Sequence, residues 1–205
     1  MFDKEMSAAV ETAQKRLMNT TGKESVLMAV TSDLSELCVL TEKLDPSKIN
    51  FDKGGLEKLK AMNYWSKFEK YYPSMKALFE KLVRSRKILF NSITTIKRFY
   101  SEYNEKYQIF CTVPKNEQDD NYVQQAIISE NMYQLLKNSV CEHETVYEQL
   151  DKVINLLDSS LDMAVYLARK TAGCEIGASA KILPQNVTSL DYQMQFSRLN
   201  SLLEK

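Results

Sequence analysis

SMKALFEKLVRSRKILFNSITTIKRFYSEYNEKYQIF, residues 74–110, decides the fold. Met75, Phe79, Leu82, Leu89, Ile93, Ile96, Tyr100, Tyr103, Tyr107 and Phe110 follow alternating steps of four and three, with Arg86 the one polar intruder. This spacing draws a single stripe on a helix. A heptad period, shorter than the helical repeat, favours a supercoiled helix packed against partners. A second stripe of the same kind runs through 122–170: Leu136, Val140, His143, Tyr147, Leu150, Ile154, Leu157, Leu161, Ala164 and Ala168. Between the two lies CTVPKNEQDDN, 111–121, a polar loop short enough to make the flanking helices antiparallel neighbours.

Outward from this pair the same reading holds. Phe2, Met6, Val10, Ala13 and Leu17 predict a helix over 2–18, and Leu27, Val30, Leu34, Leu37 and Leu44 another over 24–44. Asn19-Thr20-Thr21-Gly22 bends or interrupts the chain between them. Asp45-Pro46 stops the second helix, because proline disfavours helical geometry in the residue before it. A connector over 46–55 ends in Gly54-Gly55. Leu56, Leu59, Trp65 and Phe68 start a third helix, and Pro73 either opens a new helix or kinks a continuous one. Ala172 to Pro184 reads as a loop or joint, and 188–204 as a last short helix through Leu190, Met194, Leu199 and Leu202-Leu203. The organisation expected is a helical bundle over 1–170, a joint over 171–187 and a short helix over 188–205. The fold class is all-α, an elongated antiparallel three-helix coiled-coil bundle. At 1.5 Å per residue the two seam helices would run to roughly 55 Å and 70 Å, which predicts a rod rather than a sphere.

Composition excludes several function classes. The chain has 205 residues, 44% apolar and 26% charged, ordinary for a globular protein, with only five glycines and four prolines. Lys+Arg and Asp+Glu both number 27, so no global charge draws it to nucleic acid or anionic lipid, and any basic surface is local. The start, MFDKEMSAAV, shows no secretory signal, and no apolar stretch is long enough to cross a membrane. The expectation is a cytoplasmic chain with reduced cysteines at 38, 111, 141 and 174, in which the sequons at Asn19 and Asn186 carry no weight. There is no phosphate-binding glycine loop, nucleophile elbow or zinc-protease motif. His143 is the only histidine and sits on an apolar stripe, where a packed or interface residue is the plainer reading. Asp119 and Asp120 precede a helix start and suit its dipole. The aromatics of 96–110 stand at heptad spacing and read as core rather than as a stacking platform for bases. No catalytic residue, metal or cofactor is expected, and no nucleic-acid partner.

One local charge feature remains. Lys67, Lys70, Lys76, Lys81, Arg84, Arg86, Lys87, Lys97 and Arg98 face only Glu69 and Glu80 over the same span. Either these bases pair with acids on a neighbouring helix, such as Asp151, Asp158 and Asp162, or they form a strip for anions, lipid headgroups among them.

Residues 72–100, YPSMKALFEKLVRSRKILFNSITTIKRFY, resemble the middle helix of BAR domains of the amphiphysin type, through Tyr72-Pro73 and the cluster Arg84, Arg86, Lys87, Ile88 and Leu89. Residues 133–157, YQLLKNSVCEHETVYEQLDKVINLL, resemble the start of the third BAR helix. The order of elements fits the same family over about 24–170. The sequence departs from its pattern at Asn91, where an aspartate is usual, and in the 111–121 loop, whose only base is Lys115. The resemblance implies a non-catalytic homodimer, or a heterodimer with a related BAR protein, peripheral at anionic phospholipid membranes that it senses or shapes, as in endocytosis. The membrane-binding residues would be Lys76, Lys81, Arg84, Arg86, Lys87, Lys97 and Arg98, with a shallow wedge from Phe2, Met6 and Val10. The competing reading is a helical scaffold or effector that works through protein contacts without a membrane.

Overall fold

In the computed structural model, residues 2–22, 25–51, 53–112, 120–173, 176 and 187–204 are described. They form five helices and no strand: α1 (Phe2–Thr21), α2 (Val26–Glu42), α3 (Leu56–Thr112), α4 (Asp120–Ala172) and α5 (Ser189–Leu203). The all-α class is thus established. Residues 113–119 of the polar loop, including Asp119, and most of the joint at 171–187 lie outside the described residues, as does the side chain of Asp120.

The two expected segments 56–72 and 74–110 are one helix, with Pro73 inside it. Proline removes one backbone donor. Here Pro73 is exposed, and Phe68 and Met75 are buried on either side of it. Burial of both flanks keeps the helix going through a local fault. α4 ends where Gly173 takes φ +66 and its N–H donates to the Arg169 carbonyl at 3.1 Å, a left-handed cap that suits glycine. Arg169 and Lys170 in the last turn oppose the negative end of the helix dipole. α5 begins on a capping box: Thr188 Oγ1 accepts from the Asp191 N–H at 3.2 Å, and the Thr188 N–H donates to Asp191 Oδ2 at 2.9 Å.

The chain divides into two compact units that do not follow chain order. The first is Met1–Ala29 with Lys87–Glu148 and the second is Val30–Arg86 with Gln149–Lys205. In the first unit Met6, Ala9, Ala13 and Leu17 of α1 pack with Ile96, Tyr103, Phe110, Met132 and Leu136. The small Ala9 and Ala13 leave room for tyrosines, and Val10, Tyr100, Tyr107 and Tyr133 close the edges. Their hydroxyls find partners: Tyr103 donates to the Ser129 carbonyl at 2.9 Å, Tyr100 to Tyr133 at 2.9 Å, and Tyr107 to the Glu130 carboxylate. His143 is buried, and its Nδ1 lies 2.7 Å from the Ser139 carbonyl. A carbonyl only accepts, so Nδ1 carries the proton.

In the second unit an aromatic cluster closes one end of the core. The Phe51 and Trp65 ring centres stand 4.7 Å apart, and those of Tyr64 and Trp65 4.9 Å. Trp65 is fully buried, and its indole N–H donates to Thr171 Oγ1 at 3.0 Å. The Tyr64 hydroxyl donates to the Leu44 carbonyl at 3.0 Å and accepts from Tyr192 at 2.7 Å. α5, set apart in the sequence reading, is a member of this core through Tyr192, Phe196 and Leu199. Of the aliphatic stripe expected of it, Leu199 is buried and Leu202 and Leu203 are half-buried, whereas Leu190 is 62% exposed and Met194 48%. Leu56 and Leu59 of α3 are likewise exposed, while Ala61, Tyr64, Trp65 and Phe68 are buried.

Candidate anion-binding face

α3 carries its bases around a heptad frame. With Leu82 and Leu89 buried on the seam, Lys67, Lys70, Arg84 and Lys87 fall on the side away from it and are exposed. Among the described residues none of these four makes an ion pair. The other bases are engaged. In the second unit Lys81 stands 3.6 Å from Asp33, Arg86 donates to Asp151 at 2.5 Å, and the Lys76 ammonium lies 4.8 Å from the centre of the Phe79 ring. In the first unit Lys97 stands 2.5 Å from Glu144 and Arg98 3.8 Å from Glu102. Arg16 of α1 shares that glutamate at 2.5 Å. Of the candidate strip, Arg84 of the second unit and Lys87 of the first therefore keep free charges, and in the second unit Lys67 and Lys70 do so as well.

Arg86 is no fault in the stripe. It is half-buried, and Asp151, its partner, also accepts from Asn155 Nδ2 at 3.3 Å. A charged pair at a seam position costs more to misplace than an apolar one, so it marks register.

The expected wedge does not lie open at the surface. Met6 is 3% exposed and Val10 packs against the same core, so both spend their apolar surface inside the first unit. The side chain of Phe2 lies outside the described residues.

Residues that the sequence reading did not single out extend the basic surface of the second unit. The connector after α2 brings Lys43 and Lys48 beside Lys60 and Lys67 around an open cavity of about 440 Å³. In the sequence, Lys43 and Lys48 flank the Asp45-Pro46 stop, and that bracketing is the one signal that could have drawn attention to them.

The first unit exposes apolar side chains of α3 and α4. Ile109 is 55% exposed and Ile127 57%. Among the described residues no group of three or more His, Cys, Asp or Glu side chains could hold a metal ion. No helix among them is long and apolar enough to cross a membrane. Cys38, Cys111 and Cys141 are free thiols. Comparison with protein-family models, with curated proteins and with solved structures finds no match for this chain.

Proposed function

We propose that the protein binds anionic membranes peripherally, as a BAR-like helical dimer without catalytic activity. The observation that carries the reading is the set Lys67, Lys70 and Arg84 in the second unit. Its members are exposed and free of ion pairs among the described residues. Each such base near an anionic bilayer contributes about 1 kcal/mol. Arg86 is not part of the contact, because its charge is committed to Asp151.

The test is co-sedimentation with vesicles of graded phosphatidylserine content. Binding is expected to rise with the anionic fraction and to fall at least about tenfold in K70E/R84E, which removes two such contributions and adds repulsion. Absence of binding at low salt, together with a monomer in light scattering, overturns the proposal.

A second reading, a scaffold acting through protein contacts, draws on the exposed Ile109 and Ile127 of the first unit. Ile109 lines a groove with Met6 and Phe110, and Ile127 a separate one with Tyr107 and Tyr122; exposed apolar patches are common at interfaces. On that reading I109E/I127E abolishes concentration-dependent association and leaves vesicle binding unchanged.

A further inference from the structure

The segment between α2 and α3 is held more firmly than its composition suggests. The Asp45 carboxylate accepts from the Ser47 N–H at 2.9 Å and the Ser47 hydroxyl at 2.8 Å. The Ile49 N–H donates to the Pro46 carbonyl at 3.1 Å. From α5, Gln193 Nε2 donates to the Pro46 carbonyl at 3.0 Å and to the Ile49 carbonyl at 2.7 Å. The Phe51 N–H donates to Ser189 Oγ at 3.3 Å. These bonds place Lys48 on a fixed backbone opposite Lys60 and Lys67 of α3, with Lys43 at the end of α2.

The cavity they surround is cationic. Among the described residues Asp45 is the one carboxylate in its lining; its oxygens accept from Ser47, and its single negative charge is outnumbered by the four lysines. Lys48 and Lys67 have no carboxylate partner among the described residues, and the Lys43 ammonium lies 5.8 Å from the centre of the Tyr71 ring. Lys60 stands 2.7 Å from Glu57, which lines the adjoining cavity with Lys48 and Lys53. The hydrogen bond from Lys60, the Asn50 backbone and the Lys53 charge hold the Glu57 carboxyl below its usual range.

We infer that this cavity binds a polyphosphorylated anion, with Lys43, Lys48, Lys60 and Lys67 as ammonium donors and Asn63 as an amide partner. Lysine ammoniums are compact charges suited to phosphate, and four of them around one space match several phosphates rather than one. The site is an open depression, so a multiply charged anion reaches it from solvent and is held by charge rather than by enclosure. Tyr64, the one ring in the described lining, is buried with its hydroxyl committed, so that lining offers no aromatic face to a base. That favours a polyphosphate or a phosphorylated polyol over a nucleotide. The pinned connector lowers the ordering cost of binding. The site shares Lys67 with the membrane reading and otherwise goes beyond it. The anion is either free in solution or the headgroup of a phosphorylated lipid, and the experiment separates the two.

The test titrates tripolyphosphate and inositol hexakisphosphate into the full chain by calorimetry. It then compares sedimentation with vesicles carrying a phosphoinositide bisphosphate or charge-matched phosphatidylserine. Saturable one-to-one binding of a soluble probe is expected. K43Q/K48Q should weaken it about tenfold or more, as loss of roughly 1.4 kcal/mol implies. E57Q, which frees Lys60, should tighten it severalfold, and R84Q/K87Q should change it less than about twofold, since neither residue lines the cavity. Circular dichroism melting checks that K43Q/K48Q folds, and K48E serves as a second variant. Preference for the phosphorylated headgroup that K43Q/K48Q abolishes assigns the lipid source, and soluble binding without that preference assigns the free anion. Unchanged affinity in a folded K43Q/K48Q, or no saturable binding of either probe or headgroup, overturns the inference. A chain that takes up tripolyphosphate but no vesicle overturns the membrane reading alone. A chain that sediments with phosphatidylserine but binds no phosphorylated probe or headgroup overturns this inference alone.

Discussion

Tyr103 illustrates how far one side chain was legible. Its heptad place foretold burial, and it is buried. The period says nothing about where its hydroxyl goes, which is the Ser129 carbonyl. Burial pushes the phenol up from an ordinary 10.0 to about 12, with a lesser opposing effect from that hydrogen bond. The folded state therefore holds the proton more tightly than the unfolded chain. Its stabilising effect is whole below pH 10 and is lost as pH rises toward 12, an alkaline penalty of about 2–3 kcal/mol. Urea midpoints between about pH 9 and 12 should fall steeply in the wild type and less so in Y103F. Arg86 was also visible in the sequence as an anomaly, and Asp151 was among the partners considered for the basic segment. Both side chains remain partly open to water, so D151N should cost no more than about 1 kcal/mol in chemical denaturation. Truncation of the fully buried Leu136 to alanine should cost about 2–5 kcal/mol.

At the scale of elements, long regular stripes were readable and short mixed ones were not. The seams at 75–110 and 136–168 give the correct inward faces because many residues vote on one phase. α5 has few residues, and its first two aliphatics, Leu190 and Met194, lie on a different side from Tyr192, Phe196 and Leu199. The expected stripe was right at Leu199 and wrong at Leu190 and Met194, because Tyr192 and Phe196 bury more area and set the orientation. The start of α3 repeats this, with Leu56 and Leu59 outward and Trp65 inward. The first turn of α5 rests on its capping box, so T188A should lower stability by about 1 kcal/mol, read as a shifted unfolding midpoint. The cationic cavity was beyond the sequence for a different reason. Lys43, Lys48, Lys60 and Lys67 are brought together by the fold of a connector, and no period encodes that.

For the molecule as a whole, the balance of 27 basic and 27 acidic residues removes long-range attraction to an anionic surface. Any such association depends on local charges within about 10 Å of their targets, the Debye length near 0.1 M salt. Vesicle sedimentation should therefore fall steeply between low and physiological ionic strength, and a salt-independent signal would point to apolar contact instead. The division into two interleaved units was not legible either, because each of α3 and α4 serves both. Trp65, the only tryptophan, lies in the second unit, enclosed by aromatic rings with its N–H on Thr171. Tryptophan emission, excited beyond the tyrosine band, is in consequence a spectroscopic label that nature has placed in one unit alone. Its emission should be blue-shifted and shielded from aqueous quenchers, and it reports the melting of that core without any contribution from the other.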